Sequence, residues 1–217
     1  LAVAGHGGGG ETTLVAAALY TSGATPAQGR IEAGTTPTDF DEQEILRGSS
    51  IASAVAFAEW PGPDRALCQL NFVDTPGQTL FQHEAAAVLD VVDAVVLVVD
   101  AASGVQVQTL RAWEAAAAHG LPVIVVLGRA DHEHADVAAV LGAVRERWGR
   151  GVCAVQAPIG EQRGFQGVID LVAMAARLYP AAGSGKARIA AIDDAYADAA
   201  KAGHEALVEL VAEGDDE

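Results

Sequence analysis

A strand-length apolar run, Leu1-Ala2-Val3-Ala4, passes into Gly5-His6-Gly7-Gly8-Gly9-Gly10, then into Glu11-Thr12-Thr13 and the Ala-rich stretch Leu14 to Tyr20. Few local patterns restrict a fold more, because strand, glycine loop and helix start gather backbone N–H groups and the positive end of a helix dipole around one hollow, an anion cradle. Gly5, Gly10 and Thr12 match G-x-x-x-x-G-K-[ST], with Glu11 where the pattern has lysine. Gly5, Gly7 and Gly10 equally satisfy G-x-G-x-x-G, with Glu32 roughly where a ribose-binding acid stands in dinucleotide sites. The loop alone leaves both readings open, beside a glycine turn without a ligand. A carboxylate in place of lysine turns attraction for phosphate into repulsion, each worth up to about 4 kcal/mol at roughly 4 Å and an effective dielectric of about 20. Backbone N–H groups and the helix dipole still favour phosphate, so the sequence predicts weakened binding.

Downstream, apolar runs alternate with longer Ala-rich segments: Ala94 to Val99, Val105 to His119, Pro122 to Leu127, Ala135 to Trp148. Such alternation specifies parallel strands joined by crossover helices, hence an α/β chain with a doubly wound sheet. The stretch from Thr21 to Ser53 breaks the pattern. Gly, Thr, Pro and Asp dominate it, its helical signal over Glu42 to Leu46 is short, and a loop of this length in a compact domain is usually functional. After Val152 to Ala157, the punctuation by Pro158, Gly160, Gly164 and Gly167 predicts a small appended unit with short strands such as Gly167 to Ala173. Arg188 to Ala212 reads as a helix leading into the acidic tail Glu213-Gly214-Asp215-Asp216-Glu217.

With 217 residues, 51% of them hydrophobic, the chain can bury one good core and a small subdomain. Its longest apolar stretch, around Val91 to Val99, is broken by Asp93 and closed by Asp100, too short for a bilayer, so no membrane association is expected. The net charge of -16 argues against a general nucleic-acid surface, which needs clustered Lys and Arg, and direct DNA binding is not expected. Lysine occurs only as Lys186 and Lys201. Cys68 and Cys153 lack metal-type spacing and read as core thiols of a protein from a reducing cytoplasm. Without an initiator Met or a signal-like start, the chain is expected to be a fragment.

Leu70-Asn71-Phe72-Val73 is a strand candidate ending in Asp74-Thr75-Pro76-Gly77, about sixty residues after the glycine loop. This is the D-x-x-G arrangement in which Asp74 would hold magnesium through water and the Gly77 N–H would face a terminal phosphate. A dinucleotide site has no use for it. Several longer stretches then bear on the family: Gly34-Thr35-Thr36-Pro37-Thr38-Asp39-Phe40, Glu44-Ile45-Leu46-Arg47-Gly48-Ser49-Ser50-Ile51, Asp93 to Asp100, Gly104 to Thr109, and Pro158-Ile159-Gly160 with Phe165 to Leu171. In order and spacing they resemble the elongation factor G family of translational GTPases, over essentially the whole chain.

That resemblance implies a P-loop NTPase fold, an α/β doubly wound and mostly parallel sheet with a small inserted α+β subdomain. Residues 1–157 would be the G domain core and 158–217 the truncated start of the insert. It implies GTP/GDP and Mg2+ as cofactors, and GTP hydrolysis driving translocation on the ribosome through downstream domains, by a monomer in the cytoplasm. Carried over by position, Gly5, His6, Gly7, Gly8, Gly9, Gly10, Glu11, Thr12 and Thr13 would bind nucleotide, with Asp74, Gly77, Arg129 and Asp131. Thr12, Ser50 and Asp74 would hold the metal, Ser50 standing where the family has threonine. Arg47 to Ile51 would be the first switch. Gln78, beside Gly77 in the catalytic position, replaces the family's histidine, and other GTPases use glutamine to orient water. The base-reading motif N-K-x-D becomes Gly128-Arg129-Ala130-Asp131. A lost buried hydrogen bond there costs about 1–3 kcal/mol and weakens guanine selectivity.

His83 lies at the wrong offset to replace the family's histidine and reads as a solvated helix residue. Asp131-His132-Glu133-His134-Ala135-Asp136 concentrates metal-ligand types, but a polar loop capping the next helix explains them. Trp60, Trp113 and Trp148 read as packing residues. Two further functions compete with the GTPase switch: a pseudo-GTPase keeping the fold and ribosome contacts, favoured by Glu11 and Gly128, and a dinucleotide-binding Rossmann domain.

Overall fold

Residues 63, 79, 81, 150, 180–184 and 215–217 and the side chain of Gln82 excepted, the computed structural model describes the whole chain. The end of the acidic tail thus lies outside the described residues. The chain forms two compact units, Leu1–Gly128 and Arg129–Glu217.

The first unit runs β1 (Ala2–Ala4), α1 (Glu11–Ser22), α2 (Glu42–Arg47), β2 (Ala54–Pro61), β3 (Leu67–Asp74), α3 (Gln82–Leu89), β4 (Val95–Asp100), α4 (Val107–Ala118) and β5 (Val123–Gly128). The sheet order is β2-β3-β1-β4-β5, with β2 antiparallel to β3 and the other pairs parallel. Strands covered on both faces read as continuous apolar runs, and all of β4 is buried. Successive residues take opposite faces. Ala2, Ala4 and Val95 pack with Val88 and Leu89 of α3 and Ala116 of α4. Val3, Val96 and Val98 pack with Val15 and Leu19 of α1 and Ala58 of β2. In the dinucleotide-binding order β2 lies beside β1, whereas here β3 does.

Edge strand β2, to which the sequence reading assigns no element, buries Ala54 and Ala58 and leaves Val55 and Phe57 exposed. Within the long loop, α2 begins with a capping box: the Asp41 side chain accepts from Gln43 N at 2.7 Å, and Glu44 Oε2 accepts from Asp41 N at 3.3 Å.

The second unit holds α5 (Val137–Trp148), β6 (Gln156–Ile159), β7 (Gly167–Asp170), β8 (Ala175–Leu178), β9 (Arg188–Ala190) and α6 (Asp194–Gly214). The four strands form an antiparallel meander in chain order. Ile159, Ile169, Leu171 and Ala176 pack against Ala200 and Leu207 of α6.

Three expectations are corrected. The helix expected from Arg188 starts at Asp194, since Arg188–Ala190 pairs with β8 and Asp193 Oδ1 accepts from Ala195 N at 2.9 Å at the helix start. Strand β7 stops at Asp170, whose Oδ1 accepts from Val172 N and Ala173 N and turns the chain. Cys68, expected in the core, is exposed on β3.

Candidate phosphate site

In the register of the sheet, Val3 lies opposite Asp74 and Ala4 opposite Leu97. The glycine loop, the turn after β3 and Asp100 therefore leave from one edge, the crevice where open α/β sheets bind ligands. Gly10 caps α1 at φ 103°, in the left-handed region that favours glycine. The turn is fastened to β1 by Thr75, whose Oγ1 and N both donate to Val3 O, at 2.9 and 3.2 Å. A Cβ on Gly77 would lie 2.8 Å from Gly7 N and from His6 C, so loop and turn touch backbone to backbone. On Gly128 a Cβ would lie 3.4 Å from Gly9 O, which brings the end of β5 to the same loop.

Glu11 is buried at the start of α1, only 6% exposed. Its side chain folds back over the loop. A Cβ on Gly5 would collide with Glu11 Oε1, and one on Gly9 would lie 3.1 Å from it. Oε1 is buried without a hydrogen-bond partner. Burial foremost, with the charges of Asp74 and Asp100, pushes the carboxyl pKa up to about 7, against the opposing pull of the Glu11 and Gly10 amides.

Asp74 is 1% exposed; its Oδ2 accepts from Thr38 Oγ1 at 2.6 Å, and its Oδ1 is buried without a partner. Burial raises its pKa to about 6; hydrogen bonds from Thr38 and Thr12 oppose this, and the Asp39 and Glu44 charges add to it. Thr12 Oγ1 and Ser50 Oγ stand 3.2 Å apart, and Ser50 donates to Asp39 Oδ1 at 2.6 Å. Asp39 is raised by burial first, against its hydrogen bond from Ser50. Glu44 Oε1 accepts from Ile51 N at 3.0 Å and Ala52 N at 3.3 Å, which ties α2 to the segment carrying Ser50. Gln78 Nε2 donates to Ser49 Oγ at 2.8 Å.

The structure thus gathers Gly5 to Thr12, Ser50, Asp74, Gly77 and Gln78. Thr13 is exposed on α1. Arg129, at φ 58°, and the exposed Asp131 belong to the second unit, where Arg129 Nη2 lies 3.0 Å from His132 Nε2. Sequence reasoning missed the site roles of Thr38, Asp39, Glu44 and Ser49; their presence in family-like stretches was the available signal.

The hydroxyls of Thr12 and Ser50 with Asp39 and the free Oδ1 of Asp74 make an all-oxygen set that fits a hard cation such as Mg2+. A terminal phosphate fits less well, because Glu11 lies over the loop. Among the described residues no group of three or more His, Cys, Asp or Glu side chains could hold a metal, residues 131–136 included. His83 is exposed on α3. No described helix is long and apolar enough to cross a membrane.

Fold and site together define a P-loop domain of the GTPase type. The family described as the elongation factor Tu GTP binding domain matches residues 1–211. Elongation factor G 2 of Streptomyces coelicolor is 38% identical over 179 residues, 82% of this chain and 25% of the relative. Ribosome-releasing factor 2, mitochondrial, of Rattus norvegicus is 38% identical over 172 residues, 79% of this chain and 21% of the relative. A crystal structure of a protein from Thermus thermophilus superposes with a TM-score of 0.86 at 32% identity, covering 96% of this chain and 30% of that one. The chain belongs to the translational GTPase family that carries this GTP-binding domain, and it is a G domain of the elongation factor G-like kind. It spans about a quarter of the length of the curated relatives it matches.

Proposed function

We propose that this chain is a guanine-nucleotide switch domain whose affinity for polyphosphate is lowered by Glu11. The position of the Glu11 carboxylate, buried against Gly5 and Gly9, carries this reading. The loop amides and the dipole of α1 still attract phosphate, and the carboxylate offsets part of that attraction. Thr12, Ser50 and Asp74 would hold Mg2+, which supplies charge neutralisation at the phosphate oxygens. Gly77 turns its N–H to a terminal phosphate, and Gln78, held by Ser49, orients the attacking water. Gly128, at the end of β5, offers no amide side chain for the base.

In the full-length protein, GTP hydrolysis by this domain would drive movement on the ribosome. We place the protein in the cytoplasm, as a monomer without membrane or DNA partners, with residues 1–157 as the G domain core and 158–217 as the start of its insert. A second reading, a pseudo-GTPase that keeps the fold and ribosome contacts, is favoured by Gly128 as a second lost contact.

Titration with fluorescent GDP and GTP analogues in magnesium, with NADH as control, tests the reading. Glu11→Lys is expected to bind at least about a hundredfold more tightly than wild type. Wild-type binding as tight as that of the variant sinks it. Absence of GTP hydrolysis by a tightly binding Glu11→Lys variant selects the pseudo-GTPase.

A further inference from the structure

The surroundings of the buried Glu11 carboxyl are the glycine loop itself. A Cβ on Gly5 would lie 3.1 Å from Glu11 Cδ, and one on Gly9 would lie 3.1 Å from Oε1, so the carboxyl spans the loop between those two residues. The amides of Glu11 and Gly10 favour its charge. These are the groups that a helix N-terminus turns toward an anion. The neighbouring amide of Gly9 is given to His6 O, at 2.8 Å. Oε1 is buried without a hydrogen-bond partner, so the carboxyl fills the hollow rather than reaching out of it to water. A side chain acting on phosphate through charge alone could do so from solvent, at the mouth of the loop.

We infer that Glu11 is a tethered occupant of the anion cradle, so that any phosphate group must displace its side chain before the loop can hold it. The inference deepens the proposed reading of the site and rests on it for the glycine loop as a phosphate cradle. An occupant carried on the first residue of α1 competes at an effective concentration set by its tether, about millimolar or higher. It excludes phosphate by filling space and taking amides, which an uncharged side chain of the same shape also does. Loss of charge and loss of occupancy are therefore separable. Glu11→Gln removes the first and keeps the second, because its amide oxygen still accepts from the loop. Glu11→Ala removes both. The carboxyl also holds the loop that it blocks: without it the Gly10 amide loses an acceptor, and the cradle gains affinity and loses order together.

Calorimetric titration with inorganic pyrophosphate, and with GDP in magnesium, tests this on wild type, Glu11→Gln and Glu11→Ala, with Glu11→Ser in place of the alanine variant if that one does not melt cooperatively. Glu11→Ala is expected to bind pyrophosphate at least about tenfold more tightly than Glu11→Gln. Without ligand, its Gly10 amide is expected to exchange hydrogen at least about tenfold faster than in wild type, and pyrophosphate to restore the protection. Equal affinity of the two uncharged variants, or tighter binding by Glu11→Gln, overturns the inference, since occupancy then does not govern the loop. A gain in affinity with Gly10 exchange unchanged overturns it too, because the carboxyl then never held the loop. If pyrophosphate behaves as expected but no variant binds GDP, the guanine-nucleotide reading fails while the occupied cradle stands.

Discussion

Thr38 donates a 2.6 Å hydrogen bond to Oδ2 of Asp74, 36 residues away, with both side chains buried. A hydroxyl from the long loop thus holds the carboxylate that ends β3. The bond favours the ionised form, so Thr38→Val should raise the Asp74 pKa beyond about 6. An acid raised in the folded state gives its full stability below the unfolded value of 3.8, and that stability falls as pH climbs toward 6. The variant should therefore lose about 1–2 kcal/mol at roughly pH 8 and much less at roughly pH 4. Urea unfolding at both pH values measures this, and an equal loss at both would contradict the assignment.

Glu11 follows the same sign. With the unfolded carboxyl near 4.5 and the folded one at about 7, stability is greatest below 4.5 and declines until about 7. The interval between 4.5 and about 7, at about 1.36 kcal/mol per pH unit, amounts to about 3 kcal/mol. Glu11→Gln should be more stable than wild type by that order at roughly pH 8 and equal to it at roughly pH 4. Parallel stability curves for the two proteins would show that the carboxyl is not buried as described.

Glu44 accepts three backbone N–H groups, from Asp41, Ile51 and Ala52. An amide can supply only one accepting oxygen. Glu44→Gln is therefore expected to cost about 1–3 kcal/mol, and to speed hydrogen exchange at Ile51 and Ala52 while leaving β4 protected. Unchanged exchange at those two amides would remove Glu44 from its positioning role.

Gly77 meets backbone atoms on the other side, so Gly77→Ala cannot be relieved by a side-chain rotation. Forcing a methyl into close-packed surroundings costs about 1–3 kcal/mol, and the turn must withdraw from Gly7. Amide chemical shifts of residues 5–10 should move together in the variant. Shifts confined to the mutated turn would mean that loop and turn are not in contact.

The elements legible in the sequence were those whose pattern is local. The apolar run of β4, the Ala-rich α4 and the glycine loop before α1 each declare themselves within a dozen residues or so, the scale on which period and spacing operate. Edge strand β2 did not, because it sits beside a long irregular loop and alternates small with large apolar residues. The boundary at Asp194 escaped because alanines run across both β9 and α6, and the turn at Asp193 is what separates them. In the site, Thr12, Asp74, Gly77 and Gln78 were legible through fixed motif spacings. Thr38, Asp39, Glu44 and Ser49 were not, since their partners lie 36, 11, 7 and 29 residues away, separations that no short motif encodes.

Strands β2 and β3 pair from Ala54 opposite Asp74 to Pro61 opposite Leu67. The segment entering β2 carries Ser49 and Ser50, and the one leaving β3 carries Thr75 to Gln78, so both spring from a single rung of the ladder. They behave as two leaves of a hinge on one pin: a slip of one residue between the strands would turn every side chain of the slipped strand to the opposite face. Beyond that rung the 2.8 Å bond from Gln78 Nε2 to Ser49 Oγ joins the two leaves again, so the hairpin and this bond together close a ring around the start of both segments.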